Sequence, residues 1–203
     1  MGGEPKRKDL VLIFGASGYG KTELGLRIYG TRYTKGGQCL FIDPTGNYGH
    51  LGRRVRSARE LEQLAEAAGD RPFSLVYQPD GDDLSAMWQA IYRRGRLLVL
   101  VDEAQNFGRA GEVQPGLHRL ISQGRHRLVS LVMIVRTPPE MPKVARGNYE
   151  SLYTFRQTEP DYARWLATRY FDVPDAERRI QRLERFHFLR VDAAGKITRG
   201  KLS

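Results

Sequence analysis

The sequence predicts an α/β fold with a mainly parallel central sheet flanked by helices. Short apolar runs alternate with helical patterns along its 203 residues, as in strands joined by crossover helices. The run LVLIF at 10–14 precedes a glycine-rich turn, and the run at 97–101 is apolar throughout, which is typical of a strand buried on both faces. The length and the 40% hydrophobic content suit one domain with a substantial core.

The remaining elements follow in order along the chain. Predicted strands cover 10–14, 39–43, 74–78, 97–104, 128–135 and 151–157. Predicted helices cover 21–29, 57–68, 84–94, 114–124, 159–170 and 176–186. They are rich in helix formers or space their apolar residues three and four apart, as Leu84, Met87, Trp88 and Ile91 do. HFLRV and KITRG, on either side of 192–195, predict a terminal hairpin.

Composition excludes several classes of protein. The single cysteine, Cys39, rules out an internal disulfide framework and a cysteine-rich zinc site, and its apolar run predicts a buried side chain. The four histidines are not paired at metal-ligand spacing, so we expect no structural metal. No apolar run approaches the roughly 18–20 residues of a membrane helix, and the first ten residues lack the apolar stretch that is typical of a signal peptide. These features predict a soluble, intracellular protein that is not itself transmembrane.

A phosphate-binding motif follows the first predicted strand. Residues 15–22 match G-x-x-x-x-G-K-[ST] and open a helix, where backbone amides and the helix N-terminus favour phosphate. We expect the whole loop to bind ATP through Gly15, Ala16, Ser17, Gly18, Tyr19, Gly20, Lys21 and Thr22. Lys21 is predicted to reach the β- and γ-phosphates and Thr22 to place its hydroxyl on Mg²⁺. A chance lysine in a glycine-rich turn is the alternative.

Two carboxylates follow the apolar run at 97–101 and narrow the choice among kinases, GTPases and ATPases. Asp102 is predicted to hold Mg²⁺, and Glu103 to polarise a water that attacks the γ-phosphate. The strands that carry the two motifs can be neighbours in the sheet, and the ligand is then predicted to lie at the carboxyl ends of the strands. This arrangement resembles the RecA-like, additional-strand catalytic-glutamate class of P-loop NTPases and predicts ATP hydrolysis. Two acids ending a strand in solvent are the alternative.

Further stretches carry a narrower resemblance. FIDPTGNY at 41–48 resembles a stretch after the second strand in the FtsK–HerA superfamily of DNA-pumping ATPases. GRHR at 124–127, the strand and TP at 128–138, and the segments 142–148 and 153–156 are similar to the genome-packaging ATPases of membrane-containing icosahedral viruses. The resemblance covers about residues 10–170. The sequence departs from the family where a polar sensor, often Gln, is usual, because it has Val135, Arg136, Thr137 and Pro138 there.

The resemblance implies a homo-oligomeric ring, hexameric or pentameric, that hydrolyses ATP at subunit interfaces and pulls double-stranded DNA through its centre. An arginine from one subunit then reaches the neighbour's γ-phosphate, and Arg127 and Arg125 are the candidates, with Arg136 a third. A capsid or viral membrane protein is the implied docking partner. The implied location is the host cytoplasm or a capsid vertex of the virion.

On this basis we divide the chain into a basic amino-terminal arm (1–9), a P-loop ATPase domain (10–175) and a basic carboxyl-terminal extension of the same domain (176–203). The net charge of +10 points to a polyanion without identifying it. A sequence-independent motor holds phosphates rather than bases, which suits scattered basic residues. The clusters are Arg53, Arg54, Arg56 and Arg59; Arg93, Arg94 and Arg96; and a tail from Arg178 to Ser203 with net charge +6. The loop 106–112, with Arg109, is the candidate pore loop, and a solvated face is the simpler explanation for each cluster taken alone.

Other functions are compatible with a P-loop and a following carboxylate pair. A P-loop ATPase for secretion or filament assembly is the main alternative, although such proteins commonly carry a membrane segment. A nucleotide-dependent switch that moves no DNA does not need the water-activating Glu103. A small-molecule kinase is disfavoured by the same residue and by the absence of an evident substrate lid.

Overall fold

Within residues 10–80, 84–108 and 112–202, which this computed structural model describes, nine strands form one sheet in the order β3-β4-β2-β5-β6-β1-β7-β8-β9. The first seven strands along the chain are parallel, and β8 and β9 add an antiparallel hairpin at one edge. The strands are β1 (Leu10–Phe14), β2 (Gln38–Ile42), β3 (Arg53–Val55), β4 (Phe73–Tyr77), β5 (Leu97–Val101), β6 (Ser130–Val135), β7 (Ser151–Thr154), β8 (His187–Asp192) and β9 (Ile197–Lys201). The predicted α/β fold class is confirmed.

Seven α-helices connect the strands within the same ranges. They are α1 (Lys21–Thr34), α2 (Ala58–Ala68), α3 (Ser85–Arg94), α4 (Pro115–Gln123), α5 (Lys143–Arg146), α6 (Pro160–Tyr170) and α7 (Ala176–Gln181). Local chemistry fixes several ends. The Ser57 side chain caps α2 by accepting from the amide of Glu60, and proline occupies the first turn of α4 and α6, where no amide partner is lost.

The sheet is apolar on both faces because alternate residues of its central strands pack on opposite sides. Leu12 and Phe14 face the larger core, which includes Trp88 of α3 and Leu120 of α4. Their neighbours Val11 and Ile13 face a second core with Leu24 and Tyr29 of α1. Strands buried on both sides therefore read as continuous apolar runs, as predicted for 97–101.

The strand order corrects one expectation. The motif strands β1 and β5 are not neighbours, because β6 lies between them and pairs in parallel with both. Since β1, β5 and β6 are parallel, the residues that follow each of them still lie together at the carboxyl ends of the strands. Sequence reasoning assigned no strand to Arg53–Val55, whose first two residues are exposed and charged and so carry no apolar signal.

Element ends also differ from the prediction. Helix α1 continues five residues beyond the predicted Tyr29, to Thr34, and the strands β5 and β7 end earlier, at Val101 and Thr154. Helix α7 ends at Gln181 rather than residue 186, because the following segment turns toward the loop after β1. The predicted arm at 1–9 and Arg109 of the predicted pore loop lie outside the described residues.

Candidate nucleotide-binding site

The loop between β1 and α1 has the backbone conformation that its glycines permit. Gly15, Gly18 and Gly20 have φ angles of +151°, +81° and +112°, a region that residues with a Cβ rarely adopt. A Cβ on Gly15 would lie 2.7 Å from the Cβ of Phe155. Turns of this kind bring successive backbone amides into a concave anion-binding surface, so the local backbone fits a phosphate group.

Lys21 is held inside this loop. Its side chain is only 7% exposed, and its Nζ donates a 3.0 Å hydrogen bond to the carbonyl oxygen of Ala16. Burial lowers the pKa of Lys21, while the carboxylates of Glu103 and Asp102 act in the opposite direction and Arg136 adds to the lowering. Three sequence-predicted site residues therefore lie close enough to the ammonium group to influence its charge.

The carboxylate pair follows β5. Asp102 is 5% exposed and accepts a 3.0 Å hydrogen bond from the backbone amide of Glu103. Burial, with the negative charge of Glu103 second, raises the pKa of Asp102 to about 6. Glu103 has left-handed backbone angles of φ +46° and ψ +46°, an uncommon conformation for a residue with a side chain and one often found at functional sites.

Tyr48 lies near both Thr22 and Asp102. Its hydroxyl is hydrogen-bonded to the side chain of Thr22, and burial followed by the charge of Asp102 raises the pKa of Tyr48. Thr22 and Asp102 therefore offer a hydroxyl and a carboxylate near the same tyrosine. Oxygen ligands of these kinds are the ones that Mg²⁺ binds in nucleotide sites, so the donor set fits a magnesium ion.

A turn organised by Asp43 places Tyr48. The Asp43 side chain is fully buried at the end of β2 and accepts from the amides of Thr45, Gly46 and Tyr48 and from the side chains of Thr45 and Gln78. Burial acts to raise the pKa of Asp43, but these hydrogen bonds together hold it below its usual value. The DPTGNY motif therefore has a local structural role that sequence reasoning did not assign.

Gln105 is a further residue of the site for which the sequence predicted no role. It is 8% exposed, its Nε2 donates to Oε2 of Glu103, and its Oε1 accepts a 3.2 Å hydrogen bond from the backbone amide of Arg136. The only sequence signal for it is a polar residue two positions after Glu103. The neighbouring Thr137 donates from its Oγ1 to Glu140 at 2.7 Å and is committed to that turn.

Tyr19, the bulky residue in the loop, packs against the rest of the domain. Its ring lies 5.5 Å from the guanidinium carbon of Arg156, and its carbonyl oxygen accepts a 3.0 Å hydrogen bond from the amide of Phe186. A cleft of about 590 Å³ opens beside it, lined by residues that include Ser17, Arg136 and Tyr162.

Arg125 and Arg127 are not brought to the phosphate loop of their own chain. They lie in a 3-10 turn before β6, whereas the loop follows the carboxyl end of β1, so the sheet separates them. Arg127 donates to the carbonyl oxygens of Tyr92, at 3.1 Å, and of Arg93, both in the last turn of α3. Arg125 is exposed and contacts the adjacent His126 ring, with an Nε to Nε2 distance of 3.4 Å.

Two absences apply to the described part of the chain. Among residues 10–80, 84–108 and 112–202, no helix combines the length and apolarity that crossing a bilayer requires. In the same ranges, no group of three or more His, Cys, Asp and Glu side chains is arranged to hold a metal ion.

The fold and this site define a P-loop ATPase. The sequence profile of the AAA domain family matches residues 4–140, which is more than half of the chain. The chain belongs to the AAA domain family, and the predicted nucleotide-binding, ATP-hydrolysing class is confirmed.

The match to curated relatives covers a larger share of this chain than of each relative. Protein RecA of Rhodospirillum rubrum is 31% identical over 142 residues, which is 65% of this chain and 36% of RecA. RecA of Blastochloris viridis is also 31% identical over 142 residues, which is 65% of this chain and 37% of that protein. The chain therefore spans just over a third of the length of these relatives.

Solved structures share the fold over nearly the whole chain. The genome packaging NTPase B204 of Sulfolobus turreted icosahedral virus 2, in complex with ATP-gammaS, has a TM-score of 0.80 at 20% identity, covering 96% of this chain and 97% of B204. VirB4 of Thermoanaerobacter pseudethanolicus has a TM-score of 0.69 at 13% identity, covering 100% of this chain and 91% of VirB4. The bacterial conjugative coupling protein TrwB has a TM-score of 0.67 at 11% identity, covering 100% of this chain and 90% of TrwB. At these identities the likenesses show a shared fold, and at the level of the fold the predicted resemblance is confirmed.

Proposed function

We propose that this protein is an ATP-hydrolysing motor that translocates double-stranded DNA and packages a viral genome into a preformed capsid. The observation that carries the proposal is the convergence of Lys21, Asp102 and Glu103 at one edge of the sheet. The fold that holds them is similar to that of the packaging NTPase B204 across 96% of this chain.

The catalytic steps are assigned to residues of this edge. The loop 15–22 binds the phosphates of ATP, and Lys21 neutralises charge on the β- and γ-phosphates. Glu103 orients a water molecule, whose oxygen bonds to the γ-phosphorus while the bond from that phosphorus to the bridging oxygen breaks. The water proton passes to the Glu103 carboxylate, and ADP and phosphate are the products.

Thr22 and Asp102 would hold Mg²⁺ between them, directly or through water. When bound, Mg²⁺ would supply positive charge that offsets the negative charge of the phosphate oxygens. The raised pKa of Asp102 supports this role, because a buried carboxylate without a cation is disfavoured in its charged form. Cation binding would remove that penalty.

A neighbouring subunit completes the site in a ring of five or six copies. Arg125 and Arg127 lie at the end of the sheet away from their own phosphate loop, so any nucleotide that they contact would belong to another subunit. Arg127 donates to two backbone carbonyls of α3, whereas Arg125, which is also exposed, contacts the ring of the adjacent His126. We therefore favour Arg125 as the arginine that reaches across, with Arg136 acting within its own site, where it lies near Lys21.

The remaining positive charge is assigned to duplex DNA. Arg53 and Arg54 of β3 are exposed, as are Arg178, Arg179 and Arg199 of the carboxyl-terminal extension. Contacts of such residues with phosphates are independent of base sequence, as a packaging motor requires. In this proposal residues 176–203 form part of the ATPase domain, and the ring docks on a capsid or viral membrane protein, in the host cytoplasm or at a vertex of the virion.

A conjugation or secretion motor is the second candidate. The fold likeness to VirB4 and TrwB extends over the whole chain, with TM-scores of 0.69 and 0.67. Both candidates use the same ATP site and differ in the complex to which the ring is attached.

An ATPase assay with and without double-stranded DNA, at two salt concentrations, tests the proposal. We expect DNA to stimulate hydrolysis at low salt and less so at high salt, since phosphate contacts release counterions. Single-stranded DNA of equal nucleotide content is the control. Hydrolysis that is indifferent to duplex DNA in an assembled ring at low salt would contradict a translocase.

A further inference from the structure

Gln105 links the carboxylate of Glu103 to the end of β6. Its side-chain amide donates from Nε2 to Oε2 of Glu103, while its Oε1 accepts from the backbone amide of Arg136 at 3.2 Å. The side chain is 8% exposed. A single buried amide thus joins the residue proposed to activate water to the strand end that faces the cleft beside the phosphate loop.

The local backbone explains how Gln105 reaches both partners. After Glu103 the chain enters a 3-10 turn, Ala104–Phe107, in which the amide of Asn106 donates to the carbonyl of Glu103 at 2.9 Å. This turn brings residue 105 back over residue 103. The buried Phe107, at 1% exposure, anchors the other end of the turn in the core, where its ring packs edge-on against Trp88 at 6.0 Å.

The two hydrogen bonds differ in what they accomplish. Burying a primary amide is costly unless its donors and acceptor are paired. Nearby backbone groups could satisfy that requirement, so it does not by itself explain a bond to Glu103. Here Nε2 donates to a carboxylate, and a hydrogen bond to a charged group is shorter and stronger than one to a neutral group. Glu103 itself has a strained left-handed backbone, and its carboxylate is the end of the side chain that Gln105 restrains.

We propose that Gln105 is a positioning residue that fixes the Glu103 carboxylate by tethering it to the main chain of Arg136. The inference rests on the proposed role of Glu103 and deepens it. Because the tether ends at Arg136, directly after β6, the position of the carboxylate depends on the segment Arg136–Thr137, which lines the cleft with Ser17 and Tyr162. Displacement of that segment would move Glu103 and slow hydrolysis without altering the groups that bind the phosphates.

The test replaces Gln105 by methionine, which keeps its length and volume and removes both hydrogen bonds. We expect the basal kcat for ATP to fall about 10- to 100-fold, the loss typical of removing a hydrogen bond to a charged group, with the Kd for a nonhydrolysable ATP analogue within about twofold. The control is Gln38→Met. Gln38 is also buried, at 6% exposure, and bonds to the carbonyls of Gly69 and Arg71 far from the loop, so its kcat should stay unchanged.

A double-mutant cycle separates positioning from a general structural role. If Gln105 acts through Glu103, then Gln105→Met added to Glu103→Gln should lower the residual single-turnover rate by less than about twofold. Losses that multiply would show that the two residues act independently and would overturn the proposal. Gln105→Asn keeps an amide but is one methylene too short to span both partners, so its kcat should also fall. This variant provides the test if Gln105→Met does not fold.

The outcomes distinguish this inference from the proposed function. A wild-type kcat in both Gln105 variants, alongside an inactive Glu103→Gln, would overturn the tether and leave the base assignment intact. A normal rate in Glu103→Gln would overturn the base assignment itself. Neither result depends on DNA, because all rates are measured without it.

Discussion

The Nε of Arg185 donates a 3.0 Å hydrogen bond to the carbonyl oxygen of Gly18, joining the segment after α7 to the phosphate loop. The adjacent amide of Phe186 bonds to the carbonyl of Tyr19 at 3.0 Å, and the amide of Leu202 bonds to Phe186 at 2.9 Å. The loop is therefore shaped both by its own glycines and by residues near the end of the chain. Changes in the carboxyl-terminal hairpin should alter nucleotide affinity.

Gly20→Ala should damage the loop through this packing. A Cβ there would lie 2.9 Å from Phe186 Cδ1 and 3.1 Å from Phe155 Cε1, at a φ of +112°. We expect a loss of about 1–3 kcal/mol in the free energy of unfolding and a weaker Kd for ATP, measured by denaturant titration and calorimetry. Gly30→Ala, inside α1 with open space around it, should instead stabilise by about 0.5–1 kcal/mol. Equal effects of the two changes would contradict the packing argument.

Lys21→Ala should remove nucleotide binding. The Lys21 ammonium is the buried cation of the loop, and we expect the Kd for a fluorescent ATP analogue to rise at least about 100-fold. Lys35→Ala, an exposed lysine at the other end of α1, serves as the control and should bind normally. Unchanged affinity in Lys21→Ala would exclude this loop as the phosphate site.

Much of this could be predicted from the sequence, because the central strands and the residues that follow them carry strong local signals. The apolar run ending in Asp102 and Glu103, and the glycine spacing before Lys21, located both halves of the site. The position of β6 between β1 and β5 could not be predicted, since strand order depends on packing across the sheet and leaves no local pattern. Gln105 and Tyr48 were missed for a similar reason, because their roles depend on partners that only the folded chain brings near.

Asp102→Asn should stabilise the nucleotide-free protein at neutral pH. The pKa of Asp102 is raised from 3.8 to about 6, so the folded state binds this proton more tightly than the unfolded state does. The resulting stabilisation is present below pH 3.8 and is lost as pH rises through 6, a difference of up to about 3 kcal/mol at pH 7.5.

Denaturant titrations at pH 7.5 and pH 4 measure the effect. Asp102→Asn should exceed the wild type at pH 7.5, and the gap should shrink toward zero at pH 4, while Mg²⁺-dependent hydrolysis is lost. Asp70→Asn is the control, since the Asp70 side chain is 96% exposed and its removal should change little. A variant less stable than the wild type at pH 7.5 would show that Asp102 is stabilised in its charged form.

Arg127→Ala and Arg125→Ala should behave differently. Arg127 donates to two carbonyls in the last turn of α3, so its loss should lower the free energy of unfolding by about 1 kcal/mol. Arg125→Ala should leave stability unchanged and slow ATP hydrolysis by about 10³-fold in the assembled ring, as expected for an arginine that reaches a neighbour's γ-phosphate. Assembled Arg125→Ala that hydrolyses ATP at the normal rate would remove Arg125 from that role.

Displacement of a third strand from a DNA triplex tests the central claim most directly. The assay offers the protein a duplex with a bound triplex-forming oligonucleotide and follows release of the oligonucleotide after ATP is added. We predict ATP-dependent release by the wild type and none by Glu103→Gln, which should keep ATP bound without turning it over. Release that is absent while the wild type hydrolyses ATP on the same duplex would contradict a DNA-translocating motor.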